Sequence, residues 1–182
     1  MEEGNFAVLV DAKTEYTKQL INILSPNIYL NIKELFLEIK QKSTQDNCIN
    51  ETLHNFQIAL SEIPKWNQEV ILSKYNNIIE TSGCDWLDEL LTAVFVSHTR
   101  ILTSINFNKN KNKINLKIPK VDHFMHLCYI EVARNVWKNP YLFDDNVTNF
   151  EYQRNRRDAE TLIDDTINET IRKHLPVKHI LK

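Results

Sequence analysis

The chain has 182 residues, a formal charge of −2 and 25% charged residues, a balance that gives no global basic excess to attract nucleic acid or a membrane surface. It contains only two glycines, where average usage of about 7% would give roughly a dozen. That scarcity excludes a dinucleotide fingerprint and a P-loop, which need several glycines at fixed spacing. It also argues against folds that spend glycine on tight turns and bulges.

Helical periodicity dominates the pattern. Tyr16, Leu20, Ile23 and Leu24 recur at three and four and predict a first helix over 11–24. Ser25-Pro26 reads as the cap and first turn of a second helix, with Ile28, Ile32, Leu35, Phe36 and Ile39 as its stripe. The polar run 40–47 reads as a loop. Asn50 is the predicted cap of a third helix, and Pro64 breaks it. A fourth carries Trp66 to Ile79 and stops at Ser82-Gly83, with Gly83 in the left-handed conformation.

Asp85 is the predicted cap of a fifth helix, with Asp88 and Glu89 in its first turn. Its stretch from Trp86 to Ile105 is the most apolar of the chain, which predicts a central position. Over 106–118, Phe107, Ile114, Leu116 and Ile118 alternate around a lysine- and asparagine-rich turn, a period of two that allows a small β-hairpin. Asp122 is the predicted cap of a sixth helix that ends at Asn139-Pro140. Tyr141-Leu142-Phe143 reads as a docking loop. A last helix spans about 148–174, with Phe150, Ala159, Leu162, Ile163, Ile167 and Ile171 inward, and Pro176 stops it. Val177, Ile180 and Leu181 form an apolar tail, read as docking on a partner or continuing in a longer parent. The expected fold is mainly α, a single-domain bundle of about seven helices over 1–182. It has an N-terminal helical half (10–81), a C-terminal helical half with the hairpin insert (84–175), and a tail (176–182).

Candidate chemistry is sparse. His123, His126 and Cys128 form H-x-x-H-x-C on one helix, but no third and fourth metal ligand stands at a recognised spacing, so ordinary core or surface histidines are the favoured reading. Cys84 precedes a helix start, where a dipole lowers a thiol pKa. Its best base, His98, lies nearly four turns away, roughly 20 Å along a continuous helix. A buried thiol at a helix junction is the favoured reading. The carboxylates Asp85, Asp88 and Glu89 suit a helix N-terminus, and Asp158, Glu160, Asp164 and Asp165 suit a solvated helix face. The three odd, widely spaced cysteines indicate neither a disulfide framework nor a zinc knuckle. No apolar run reaches the roughly 18 residues of a membrane span, and the acidic N-terminus lacks the basic start of a signal peptide. No catalytic residue, cofactor or metal is expected.

Two basic clusters remain. Lys109, Lys111 and Lys113 form a cationic hairpin tip that could neutralise phosphates. It lacks an interleaved aromatic platform, so nucleic-acid contact is not favoured. Arg154, Arg156 and Arg157 are planar, bidentate groups suited to salt bridges with acidic helices of a neighbouring chain. Trp66, Trp86 and Trp137 read as core anchors; an exposed one would mark an interface.

Three blocks resemble a conserved protein family of nucleocytoplasmic large DNA viruses, the giant viruses of algae and protists. They run from Ser82-Gly83-Cys84-Asp85-Trp86-Leu87 to Ile105, from Lys117-Ile118-Pro119 to Tyr141-Leu142-Phe143, and from Tyr152-Gln153-Arg154-Asn155 to Leu175-Pro176-Val177-Lys178. The Asn, Ile and Lys bias suits such A/T-rich genomes. The resemblance implies a non-enzymatic virion protein, a minor capsid component, located in the capsid and in host cytoplasm during assembly. Its partners would be other capsid proteins or itself. The expected contact residues are Lys109, Lys111, Lys113, Tyr141, Leu142, Phe143, Arg154, Arg156, Arg157, Val177, Ile180 and Leu181. The alternative is a nucleic-acid-associated viral factor acting through the lysine-rich hairpin.

Overall fold

The structure is a computed structural model that describes residues 2–105 and 116–182. Seven α-helices account for most of it: α1 (Glu2–Gln45), α2 (Thr52–Leu60), α3 (Gln68–Ser82), α4 (Leu87–Ser104), α5 (Val121–Lys138), α6 (Asn149–Lys173) and α7 (Val177–Leu181). Short 3₁₀ turns at Ile49–Glu51, Ile63–Lys65 and Pro140–Phe143 connect them, and no strand occurs among the described residues. The mainly α expectation holds. Residues 106–115 of the expected hairpin lie outside the described residues, and 116–118 have no regular structure.

The hub of the bundle is α1. Leu20, Leu24, Ile28, Ile32 and Phe36 follow one another at intervals of four, and all are buried. Helices α2, α3, α4, α5 and α6 all pack on α1. At 44 residues, α1 spans about 66 Å by its 1.5 Å rise per residue, so it outreaches every helix that packs on it. The expectation that the Trp86–Ile105 segment would be central is therefore corrected. Helix α4 is one-sided: Leu87, Leu90, Leu91, Val94, Phe95 and His98 are buried while Asp88, Glu89, Thr92 and Arg100 face solvent. Its apolar surplus faces α1.

The predicted break at Ser25-Pro26 does not occur. Proline removes the hydrogen bond to the carbonyl of Asn22 and usually kinks or ends a helix. Here both Asn22 and Pro26 are exposed, so water can take the freed carbonyl. The flanking residues are pinned on the inner side. Ser25 Oγ donates to Asp164 of α6, and Asn27 Nδ2 donates to the Ile23 carbonyl at 3.0 Å. Burial of Leu24 and Ile28 on the same face outweighs the proline cost. The predicted loop over 40–47 shrinks accordingly. The helix continues to Gln45, and the chain reverses at Asp46 and Asn47, with Asn47 at φ 56° in the left-handed region.

Other boundaries follow the sequence closely. Asn67 caps α3 by accepting from the Val70 N–H at 2.9 Å, and Gly83 ends α3 at φ 66°. Thr148 caps α6 by accepting from the Glu151 N–H at 3.2 Å. Three predicted caps are corrected. Asn50 sits inside a 3₁₀ turn, Asp85 lies ahead of the α4 cap position, and Asp122 lies within the first turn of α5, accepting from Gln68 Nε2 at 2.8 Å.

One continuous apolar core runs from Leu20 to Ile171 across α1 to α6. A chain of rings links α1 to its neighbours: Phe36–Phe56 at 5.3 Å, Phe56–Phe143 at 5.9 Å and Phe143–Tyr29 at 5.5 Å. Leu142 and Phe143 therefore belong to the interior. The expectation that they dock outward is corrected, because the 3₁₀ turn at Pro140 packs on α6 and α2, burying Leu142 and setting the Phe143 ring against Tyr29 and Phe56, while Tyr141 is left half-exposed.

At the centre, Tyr129 is fully buried and its hydroxyl has no hydrogen-bond partner among the described residues. Burial drives its pKa up. An unsatisfied buried hydroxyl costs about 1–3 kcal/mol. Tyr129→Phe is accordingly expected to hold or raise the thermal midpoint, by up to about 4 °C, in differential scanning calorimetry. A fall of several degrees would mean that the hydroxyl is satisfied.

Candidate interaction surface

The histidines and cysteines each have a structural explanation. His126 is buried, its Nε2–H donates to the Ile63 carbonyl at 2.9 Å, and its ring stacks on Trp66 at 5.7 Å. His123 is exposed on the same helix, and Cys128 is buried with its thiol pKa pushed up by desolvation. No group of three metal-ligating side chains occurs among the described residues. Cys84 is buried, and burial raises its thiol pKa against the smaller lowering from the Trp86 backbone N–H. A dipole-activated thiolate is not what the junction produces.

His98 faces α1 rather than Cys84. The Thr17 hydroxyl donates to the Lys13 carbonyl at 2.7 Å, so its oxygen accepts from His98 Nε2–H at 3.0 Å. The imidazole is 9% exposed, and burial first, then the Lys13 charge, lowers its pKa from 6.5 to about 4. The sign follows from linkage. Below pH 6.5 the unfolded chain takes up a proton that the native imidazole refuses until about pH 4. Stability is thus expected to fall as pH drops from 6.5 to 4, and His98→Gln should flatten that slope in urea titrations at several pH values. An unchanged slope would remove His98 as its source.

The outward-facing cluster lies at the start of α6. The buried side of this helix carries Asn155, Ala159, Ile163, Thr166, Ile167, Thr170 and Ile171. At about 100° per residue, Phe150 is half a turn away from Ala159, and Arg154 and Arg157 lie within about 40° of Phe150. Phe150 is 77% exposed, which corrects its predicted inward placement. The phase of α6 in the sequence already puts residue 150 on this outer side, although hydrophobicity alone puts a phenylalanine inward. Phe150, Arg154 and Arg157 border a shallow depression of about 450 Å³ with Gln153, Arg156 and Glu160. Arg156 is committed within the chain. Its Nε donates to Glu160 at 3.0 Å, and its guanidinium lies 5.7 Å from the Tyr29 ring centre. Arg154 and Arg157 form no ion pair among the described residues.

The other expected contact residues divide. Lys109, Lys111 and Lys113 lie outside the described residues. Tyr141 is half-exposed, and the Trp137 carbonyl accepts from Gln57 Nε2 at 2.9 Å. Trp86 and Trp137 are both half-exposed rather than core anchors, and Trp66 is the one packed against the core. In the tail, α7 packs on α4 and buries Ile180, leaving Val177 and Leu181 exposed. No described helix is long and apolar enough to cross a membrane.

No curated protein and no solved structure matches the chain. A family model matches residues 6–144, from α1 to the 3₁₀ turn that precedes α6. That match covers most of the chain, and the protein belongs to the family of unknown function DUF5764.

Proposed function

We propose that this protein is a structural, interaction protein of a large DNA virus, a minor capsid component that packs against capsomers or against copies of itself. The observation that carries the reading is the outer face of α6. A large aromatic ring stands in solvent beside two guanidinium groups without ion pairs among the described residues. Aromatic and arginine side chains are the types that dominate binding energy at protein interfaces. Exposing Phe150 gains the folded monomer nothing, whereas covering it against a partner removes its apolar area from water. Arg154 and Arg157 supply bidentate donors for carboxylates of that partner. The likeness of the three sequence blocks to giant-virus proteins supports the location: the capsid, with host cytoplasm during assembly.

The protein acts in this reading by burying surface, with no catalytic residue. Mass spectrometry of purified virus particles tests it: the chain is expected at stoichiometric abundance, and its absence would end the proposal. The alternative, a nucleic-acid-associated viral factor, rests on Lys109, Lys111 and Lys113. It requires binding that weakens steeply with salt, and a lack of DNA or RNA binding at low ionic strength eliminates it.

A further inference from the structure

A second surface complements the first. A groove of about 310 Å³ opens between α1, the α2–α3 connection and α5. Ile32, Leu35, Ala59 and Ile63 give it apolar walls, and Trp66 and Tyr129 border it, their rings 5.0 Å apart. One edge is acidic. Glu34 and Glu38 stand one turn apart on α1, both exposed, and neither forms an ion pair among the described residues. Like charges at this spacing repel. Lys74 crosses one end, donating to Asn31 Oδ1 at 2.8 Å with its ammonium 5.7 Å from the Trp66 ring centre. An ammonium group is thus already held at the groove against the Trp66 ring.

The outer face of α6 has the opposite character. Phe150, Arg154 and Arg157 follow the i, i+4, i+7 spacing of a helix that lays one face into a groove. The two arginines are one turn apart, as are the two glutamates, so both rows present charges about 5–6 Å apart at the helix surface. No described ion pair joins the two rows within one chain.

We propose that the groove of one copy, at its Glu34–Glu38 edge, receives the Phe150–Arg154–Arg157 face of a second copy of this chain. Arginine stems lie along the apolar walls, and their heads meet Glu34 and Glu38. The two surfaces differ, so the contact is head-to-tail and propagates into a ring or a filament. The inference rests on the reading of the α6 face as an interface. Absence from particles would end the capsid proposal alone, and behaviour in solution decides this one.

The experiment is sedimentation velocity on the purified full chain, with circular dichroism to show that each variant is folded. The wild type is expected to self-associate with concentration and less so at high salt. E34R/E38R and R154E/R157E should each assemble roughly tenfold or more weakly. An equimolar mixture of the two should recover assembly, because each altered surface complements the other's. A wild type that stays monomeric up to roughly millimolar concentration, folded variants that assemble like the wild type, or a mixture of folded variants that stays monomeric would each overturn the proposal.

Discussion

Replacing Phe56 by alanine is expected to remove about 3–5 kcal/mol of folding stability, the usual range for deleting a fully buried phenylalanine ring. Phe56 is fully buried and meets Phe36 edge-on at 5.3 Å and an interplanar angle of 81°. On its other side it touches Phe143, which continues to Tyr29. The single ring therefore ties α2 to the hub helix and to the 3₁₀ turn at Pro140–Phe143. Its loss leaves a cavity between three separate segments, none of which can collapse into it without moving the others. Domains of this class are stable by only about 5–15 kcal/mol, so much of the margin disappears. In a chain of this length the thermal midpoint should fall by about 6–20 °C. The control is Ile58→Ala, two positions along the same helix and half-exposed, expected to change stability by less than about 1 kcal/mol. Equal effects of the two substitutions in urea unfolding would contradict the docking of α2.

The second large effect has the opposite sign. Pro26→Ala is expected to stabilise the protein by about 2–3 kcal/mol, because proline inside a helix is about 3 kcal/mol less favourable than alanine. The site can accept the change. Residue 26 is exposed, so the new N–H can bond the Asn22 carbonyl without disturbing a packed side chain. The inner contacts at this turn, Ser25 with Asp164 and Asn27 with the Ile23 carbonyl, remain available. The thermal midpoint should rise by about 4–12 °C. A loss of stability would mean that the proline itself is needed to seat α1 against α6.

Pro26 also shows where sequence reasoning reached its limit. A serine–proline pair is a sound local signal for a helix start, and 44 residues is long for one globular helix. What overrides the signal is tertiary. The stripe from Leu20 to Phe36 keeps its phase straight through residue 26, and five helices cover it. A one-dimensional reading sees the breaker but not the surface that the continuous helix buries. Where the determinants are local, the reading succeeds. Gly83 in the left-handed conformation and the ends of α5 and α6 depend on neighbouring residues only, and they lie where the sequence puts them to within a residue or two.

The candidate site divides the same way. The arginines at 154–157 are visible as a cluster, and their exposure follows from the phase of α6. The fate of Tyr141 to Phe143 is not visible, because an apolar triplet beside acidic residues looks alike whether it docks outward or folds under. The groove is beyond sequence reasoning altogether. Glu34, Trp66 and Tyr129 are far apart in the chain, and only the crossing of α1, the α2–α3 connection and α5 brings them together.

The proposed function puts this protein in a virus particle, held there by the outer α6 face. The most direct measurement is incorporation under competition. Wild-type and F150A/R154S/R157S copies are expressed together during infection, and their ratio in purified particles is compared with their ratio in the cell lysate. The three side chains make no contact that the helix core requires, so both forms should accumulate equally in the lysate. The predicted result is particles depleted of the variant by roughly tenfold or more. Equal ratios in particles and lysate would contradict the claim.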